Sequence, residues 1–208
     1  MSSIREKNKI TKRRCILDAA IRLFSKKGYD QTSIEELARE AGIGKGTVYS
    51  YFQTKKDIVR TFCEDELEFI REELAANTNP DTSLKDQLMI LFMAEFKHLS
   101  RNKEFGRLYL QETVFPDEHH SEKDLEMQSR YFELLFPIYV KAQERGELRQ
   151  DLELLHIAGH FYALYLLLVS CWFNGMIPTG EAREAMSTLL DQTIEGLKPS
   201  EQTGEHDE

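Results

Sequence analysis

Proline and glycine are scarce in this chain, 5 and 11 among 208 residues. Alternating runs of β-branched residues are scarcer still, which excludes a strand-rich fold and leaves helix as the main element. Cysteine is also rare: Cys15, Cys63 and Cys171 are odd in number, far apart and lack C-x-x-C spacing. They exclude a disulfide framework and fit reduced thiols in a cytoplasmic protein. The opening MSSIREKNKITKRR has no apolar stretch of the kind a secretory signal needs. No phosphate-loop signature G-x-x-x-x-G-K-S/T occurs, and no nucleophile stands beside an evident base. Neither observation points to an enzyme.

Apolar residues make up 41% and charged residues 30%, the balance of a soluble globular protein. The net charge of -9 is unevenly spread. Residues 1–60 hold 14 Lys/Arg against 7 Asp/Glu, a surplus of +7, while the remainder holds 13 against 29, or -16. A basic head on an acidic body suggests a nucleic-acid contact confined to the head.

Residues 1–10 read as a polar, flexible arm. From Thr11, apolar residues at Ile16, Ala19, Ala20, Leu23 and Phe24 recur at helical spacing, and Gly28 suits the left-handed position after a helix end. Ser33 and Glu36 have capping-box spacing and start a second helix, with Ile34, Leu37, Ala38 and Ala41 inward. Gly42 supplies a tight turn, and a third short helix follows from about Gly44 to Phe52. Val48 and Phe52 anchor that helix, leaving Gly46 and Ser50 on the opposite side and Thr47 and Tyr49 on its flanks. Thr54 and Asp57 repeat the cap signal, so a fourth helix runs to about Asn77, before the break NTNPDTS.

Longer helical patterns cover 83–102, 103–115, 121–145 with Pro137 inside, 152–174 and 180–197, with a disordered tail expected after them. The segment LLHIAGHFYALYLLLVSCWF, residues 154–173, nearly has the length to cross a bilayer; its histidines favour a helix buried on nearly all sides by protein. No membrane contact is expected. His156 and His160 stand four apart and could chelate, but no third ligand follows at a metal-site spacing, so solvated or satisfied histidines are expected and no metal or other cofactor.

A helix, a four-residue turn and a second helix form the helix-turn-helix layout. Residues 11–59 add dense specific matches: A-A-x-x-L-F-x-x-x-G-Y from Ala19, T-S-I from Thr32, A-x-x-A-G-I-x-x-G-T-V-Y-x-Y-F from Ala38, and K-x-D-I from Lys55. This stretch resembles the DNA-binding domain of the TetR family of bacterial transcription regulators. The resemblance implies an all-α fold: a helix-turn-helix domain over residues 1–53 and a larger helical effector-binding and dimerisation domain over 54–208. It implies phosphate contacts from Thr32 and Ser33, a base-facing turn of Lys45, Gly46 and Thr47, aromatic DNA contacts from Tyr49 and Tyr51, and a lysine at the start of the fourth helix, Lys55.

A homodimer on a palindromic double-stranded operator is then expected, paired through the last two long helices. Gly159 and Ala163, four apart, permit close approach there, with Leu166 and Leu189 beside them. A small organic effector, apolar or aromatic, would lie among Phe92, Phe96, Phe105, Met127, Tyr131, Tyr139, Phe161, Tyr165 and Trp172. The function expected is a repressor released by that effector. The alternatives are an activator, or a helical metal- or haem-binding protein or enzyme.

Overall fold

The absence of helix breakers before Gly28 lets the first helix start earlier than its apolar pattern suggests. In the computed structural model, which describes residues 4–101, 103–114 and 122–199, helix α1 spans Ile4–Lys27. The polar stretch expected to precede it is helical from Ile4: Lys, Arg and Glu are good helix formers, and the Thr11 hydroxyl donates to the Lys7 carbonyl at 2.9 Å. Among the described residues the chain forms nine α-helices, one 3₁₀ turn and no strand. After α1 come α2 (Ile34–Glu40), α3 (Lys45–Tyr51), α4 (Lys55–Asn77), α5 (Leu84–Ser100) and α6 (Lys103–Val114). The set is completed by α7 (Glu122–Glu144), which contains Pro137, α8 (Leu154–Phe173) and α9 (Ala182–Leu197).

The chain divides into two compact units. The first takes in α1 to α3, α4 as far as Glu68, and the stretch from Lys97 through α6. Its core joins Ile16, Ala20 and Phe24 of α1 to Leu37 of α2, Val48 of α3 and Ile58 of α4. Phe105 of α6 belongs to this same core and is 1% exposed. Its ring lies parallel to Phe24 at 6.2 Å and edge-on to Phe62 at 4.4 Å. Beside it, α6 comes so close to the end of α5 that a Cβ on Gly106 would stand 2.6 Å from the Leu99 carbonyl oxygen.

The second unit takes in α4 from Phe69, α5 to Phe96, and α7 to α9. Helix α8 packs against both α7 and α9. It buries Ile157, Ala158, Phe161, Tyr165, Leu168, Val169 and Trp172. The opposite side is open: Leu155, Gly159, Ala163 and Leu167 are exposed at four-residue intervals. Only 33% of the most apolar stretch of this helix is buried. The expectation of burial on nearly all sides is therefore corrected: one stripe of α8 is core and the facing stripe is surface, because α7 and α9 leave that side open.

A candidate nucleic-acid interface

Helix α2 is launched by a complete capping box. The Glu36 amide donates to Ser33 Oγ at 3.3 Å, and the Ser33 amide donates to the Glu36 carboxylate at 3.0 Å. The ammonium of Lys27 donates to the same carboxylate at 2.5 Å and, with the two Ser33 donors, holds the Glu36 carboxyl down at about 2. The turn after α2 works as its glycine demands. Gly42 has φ 68, in the left-handed region, which lets the Ile43 amide donate back to Ala38 at 2.9 Å. Ile43 packs on the core, and α3 starts at Lys45.

Val48 is 0% and Phe52 3% exposed, which fixes the rotation of α3. Lys45, Gly46, Tyr49 and Ser50 consequently face solvent, with Thr47 half-buried between the two sides. The surface offered is a small glycine, a phenol and a lysine. Lys45 is not idle: its ammonium is hydrogen-bonded to the Glu35 carboxylate of α2 and lies 5.8 Å from the Tyr49 ring centre. The pair lowers the Glu35 carboxyl and raises the Lys45 ammonium, in each case mainly through that hydrogen bond.

The other expected contact residues are placed less openly. Thr32 is 2% exposed, and its hydroxyl donates to the Gly28 carbonyl at 2.8 Å, so it fastens the turn after α1. Tyr51 packs against the head core. Lys55 donates to the Tyr29 carbonyl at 2.6 Å and lies 4.5 Å from the centre of that residue's ring, which ties the start of α4 to the loop after α1. Ser33 is exposed at the mouth of α2 but already occupied as a cap. Near the middle of α1, Arg13 reaches Glu64 at 3.2 Å and Asp65 at 3.4 Å.

In the second unit the structure brings together Phe92, Phe96, Tyr131, Tyr139, Phe161, Tyr165 and Trp172. Phe92 stacks on Tyr165 at 5.3 Å, Tyr139 on Phe161 at 5.7 Å, and Phe96 meets Trp172 edge-on at 5.3 Å. Phe105 is not with them, since it belongs to the head core, and the Met127 side chain lies outside the described residues. Sequence reasoning missed Glu95, which is 5% exposed and accepts a hydrogen bond from the Tyr131 hydroxyl at 2.8 Å. A signal was available. Leu84, Leu88, Leu91, Glu95 and Leu99 follow one helical face, and an acid on an apolar face stands out. His156 faces Glu153 at 3.8 Å with both side chains largely exposed, and no cluster of three metal-ligating side chains occurs among the described residues.

Residues 16–61 match the family described as bacterial regulatory proteins, tetR family. Over these residues the chain carries a TetR-family domain. It is 29% identical over 203 residues to an uncharacterised helix-turn-helix transcriptional regulator, YerO, of Bacillus subtilis, covering 91% of this chain and 66% of that one, just under two thirds. It is 26% identical to IcaR of Staphylococcus epidermidis, the negative regulator of the biofilm operon icaADBC, covering 76% of this chain and 80% of the relative. The TetR-family fold extends along the chain: FadR of Bacillus subtilis, solved with stearoyl-CoA, superposes with a TM-score of 0.70 at 21% identity, covering 88% of this chain and 98% of that one.

Proposed function

We propose that this TetR-family chain is a ligand-responsive transcriptional repressor, binding a palindromic operator as a homodimer in the cytoplasm and leaving it when a small organic effector binds the second unit. The observation that carries this reading is the exposed face of α3. Lys45, Gly46, Tyr49 and Ser50 stand outward over a helix pinned by Val48 and Phe52, and a duplex major groove is wide enough to admit such a helix. The contact set narrows from the one the resemblance implies. Lys45, Gly46, Thr47 and Tyr49 meet bases and nearby phosphates, Ser33 stands at the rim, and Thr32, Tyr51 and Lys55 hold the head in shape. The negative regulation by IcaR and the bound stearoyl-CoA of FadR support repression and a small-molecule effector. The aromatic assembly of the second unit supplies the effector's surroundings.

A palindrome needs two heads, and the open stripe of α8 supports a partner helix there. Gly159 and Ala163 allow close approach, Leu166 and Leu189 flank them, and His156, His160 and Ser170 in or beside the stripe favour a protein surface over hydrocarbon. Leu167→Glu should weaken dimerisation at least about 100-fold in sedimentation equilibrium, since two leucines lose some 1.5 kcal/mol or more each and two charges enter the interface. Leu167 is 51% exposed, so the variant still folds. Unchanged dimerisation would move the interface elsewhere.

The experiment for the head is a gel-shift titration of the purified chain against a palindromic fragment from near its own gene, with random DNA as control. Specific retardation that weakens steeply with salt is expected; equal retention of random DNA overturns the reading. Gly46→Ala separates binding from folding. A Cβ there meets nothing within 4 Å in the free chain, so helix propensity raises stability by about 1 kcal/mol. Against the edges of bases the same methyl costs tenfold or more in operator affinity. A variant that is both stabler and equally tight removes Gly46 from the interface.

A further inference from the structure

Glu95 has an expensive position. It sits on the inner face of α5 between Leu91 and Leu99, 0% and 1% exposed, and is itself 5% exposed. Its one hydrogen bond among the described residues comes from the Tyr131 hydroxyl at 2.8 Å. No Lys, Arg or His among the described residues acts on it electrostatically. A buried acid without a cation is costly where leucine would cost nothing. A second polar group close by is also left over. Tyr139, 0% exposed, has a hydroxyl with no hydrogen-bond partner among the described residues and lies within electrostatic reach of Glu95. Tyr131 feels Glu95, Tyr139 and Tyr162 together, which places the four groups in one neighbourhood built from α5, α7 and α8.

Among the described residues, this neighbourhood lacks positive charge. The carboxylate would supply the opposite sign, the phenol oxygens would accept hydrogen bonds, and the faces of Tyr131, Tyr139 and Tyr162 would attract a cation by their quadrupoles. An anionic head group would find no counter-charge there and would meet a like charge once Glu95 ionised. We propose that Glu95, with Tyr131 and Tyr139, is the recognition point for an organic cation: an ammonium group on an apolar body. The inference rests on the effector-binding role proposed for the second unit and names the class of effector. Burial raises the Glu95 carboxyl to about 8, so it holds its proton at neutrality and an arriving cation would displace it. The ionisable groups facing it are Tyr131 and Tyr139 from α7 and Tyr162 from α8, and phenols keep their protons across this range.

The test uses four probes on the full chain by isothermal titration calorimetry, below micelle formation: decylammonium, decanol, decanoate and stearoyl-CoA. The cation should bind at least tenfold tighter than decanol or decanoate at pH 7. Its affinity should rise by up to about tenfold per pH unit from pH 6 to pH 8, as the displaced proton becomes easier to lose. Glu95→Gln should bring the cation and decanol within threefold of each other, while Glu133→Gln, at an exposed position of α7, keeps the preference. A urea titration of Glu95→Gln establishes that the variant is folded. Equal affinity for cation and decanol in the natural chain, or a preference that survives Glu95→Gln, overturns the proposal. Tighter binding of decanoate or stearoyl-CoA with release of operator DNA also overturns it, yet leaves the ligand-responsive repressor standing. No binding of any probe overturns it as well, and the gel-shift titration then judges the repressor separately.

Discussion

Replacing Gly106 with alanine lowers the stability of the head by about 3 kcal/mol, the upper end of what overpacking usually costs. Two contacts put it there. The new methyl would stand 2.6 Å from the Leu99 carbonyl oxygen and 2.9 Å from Leu99 Cγ. The first of these is backbone, so no rotamer change relieves it; α6 must move off the end of α5. That movement drags Phe105, whose ring is wedged against Phe24 and Phe62. Alanine's better helix propensity returns only about 1 kcal/mol. Urea unfolding followed by circular dichroism measures the loss, and the more bulky Gly106→Val should lose more. A stabilised alanine variant would show that α5 and α6 can separate freely here. The contrast with Gly46 is instructive: one glycine is open to solvent and the other is pressed against a carbonyl, so the same substitution changes sign.

Between pH 6.5 and 8 the stability of the chain falls as pH rises, by about 2 kcal/mol, and Glu95→Gln abolishes the fall. The sign follows from proton counting. The folded carboxyl of Glu95 is raised from 4.5 to about 8 by burial. Above pH 4.5 the unfolded chain has released that proton while the folded chain still holds it, so each further pH unit costs up to about 1.4 kcal/mol until pH 8 is passed. The lower half of this range is shared with His98, which burial lowers to about 4. The unfolded chain binds that proton more readily, so His98 makes stability rise with pH between about 4 and 6.5 and masks Glu95 there. Glu36, held at about 2, acts lower still: its contribution is present above 4.5 and is lost as pH falls toward 2. Urea midpoints at pH 6.5, 7.2 and 8, taken on the natural chain and on Glu95→Gln, therefore isolate Glu95, because the remaining His98 contribution is common to both. At pH 8 the glutamine variant should be the more stable protein; a natural chain with a flat profile would mean that Glu95 reaches water or a counter-charge.

The parts of this fold that were legible in the sequence are those written in short-range chemistry. Ser33 with Glu36, Thr54 with Asp57, and Gly42 each specify their own turn or cap within four residues, and each is found as such. The end of α4 at Asn77 follows from the polar break after it. The burial of Val48 and Phe52, and hence the exposed face of α3, follows from helical spacing alone. What escaped depends on partners distant along the chain. Phe105 reads as one more aromatic of the acidic body, yet it packs beside Phe24, a residue of the basic head. Glu35 and Lys45 are ten residues apart, and only the folded turn brings them together. The early start of α1 was missed because a helix with no buried face leaves no periodic trace: residues 6–12 are all exposed. The open stripe of α8 was hidden for the converse reason, since a helix apolar on every side does not say which side its own chain covers.

The pairing of Lys45 with Glu35 bears on how quickly such a head would search a chromosome. An ammonium already paired with a neighbouring acid would gain less from any one phosphate, because leaving Glu35 offsets part of what the phosphate offers. Only a site that also satisfies Tyr49 and admits Gly46 would make the exchange worthwhile. With the operator contact proposed above, the acid on α2 would shorten each futile pause and leave residence time to be set by the correct sequence.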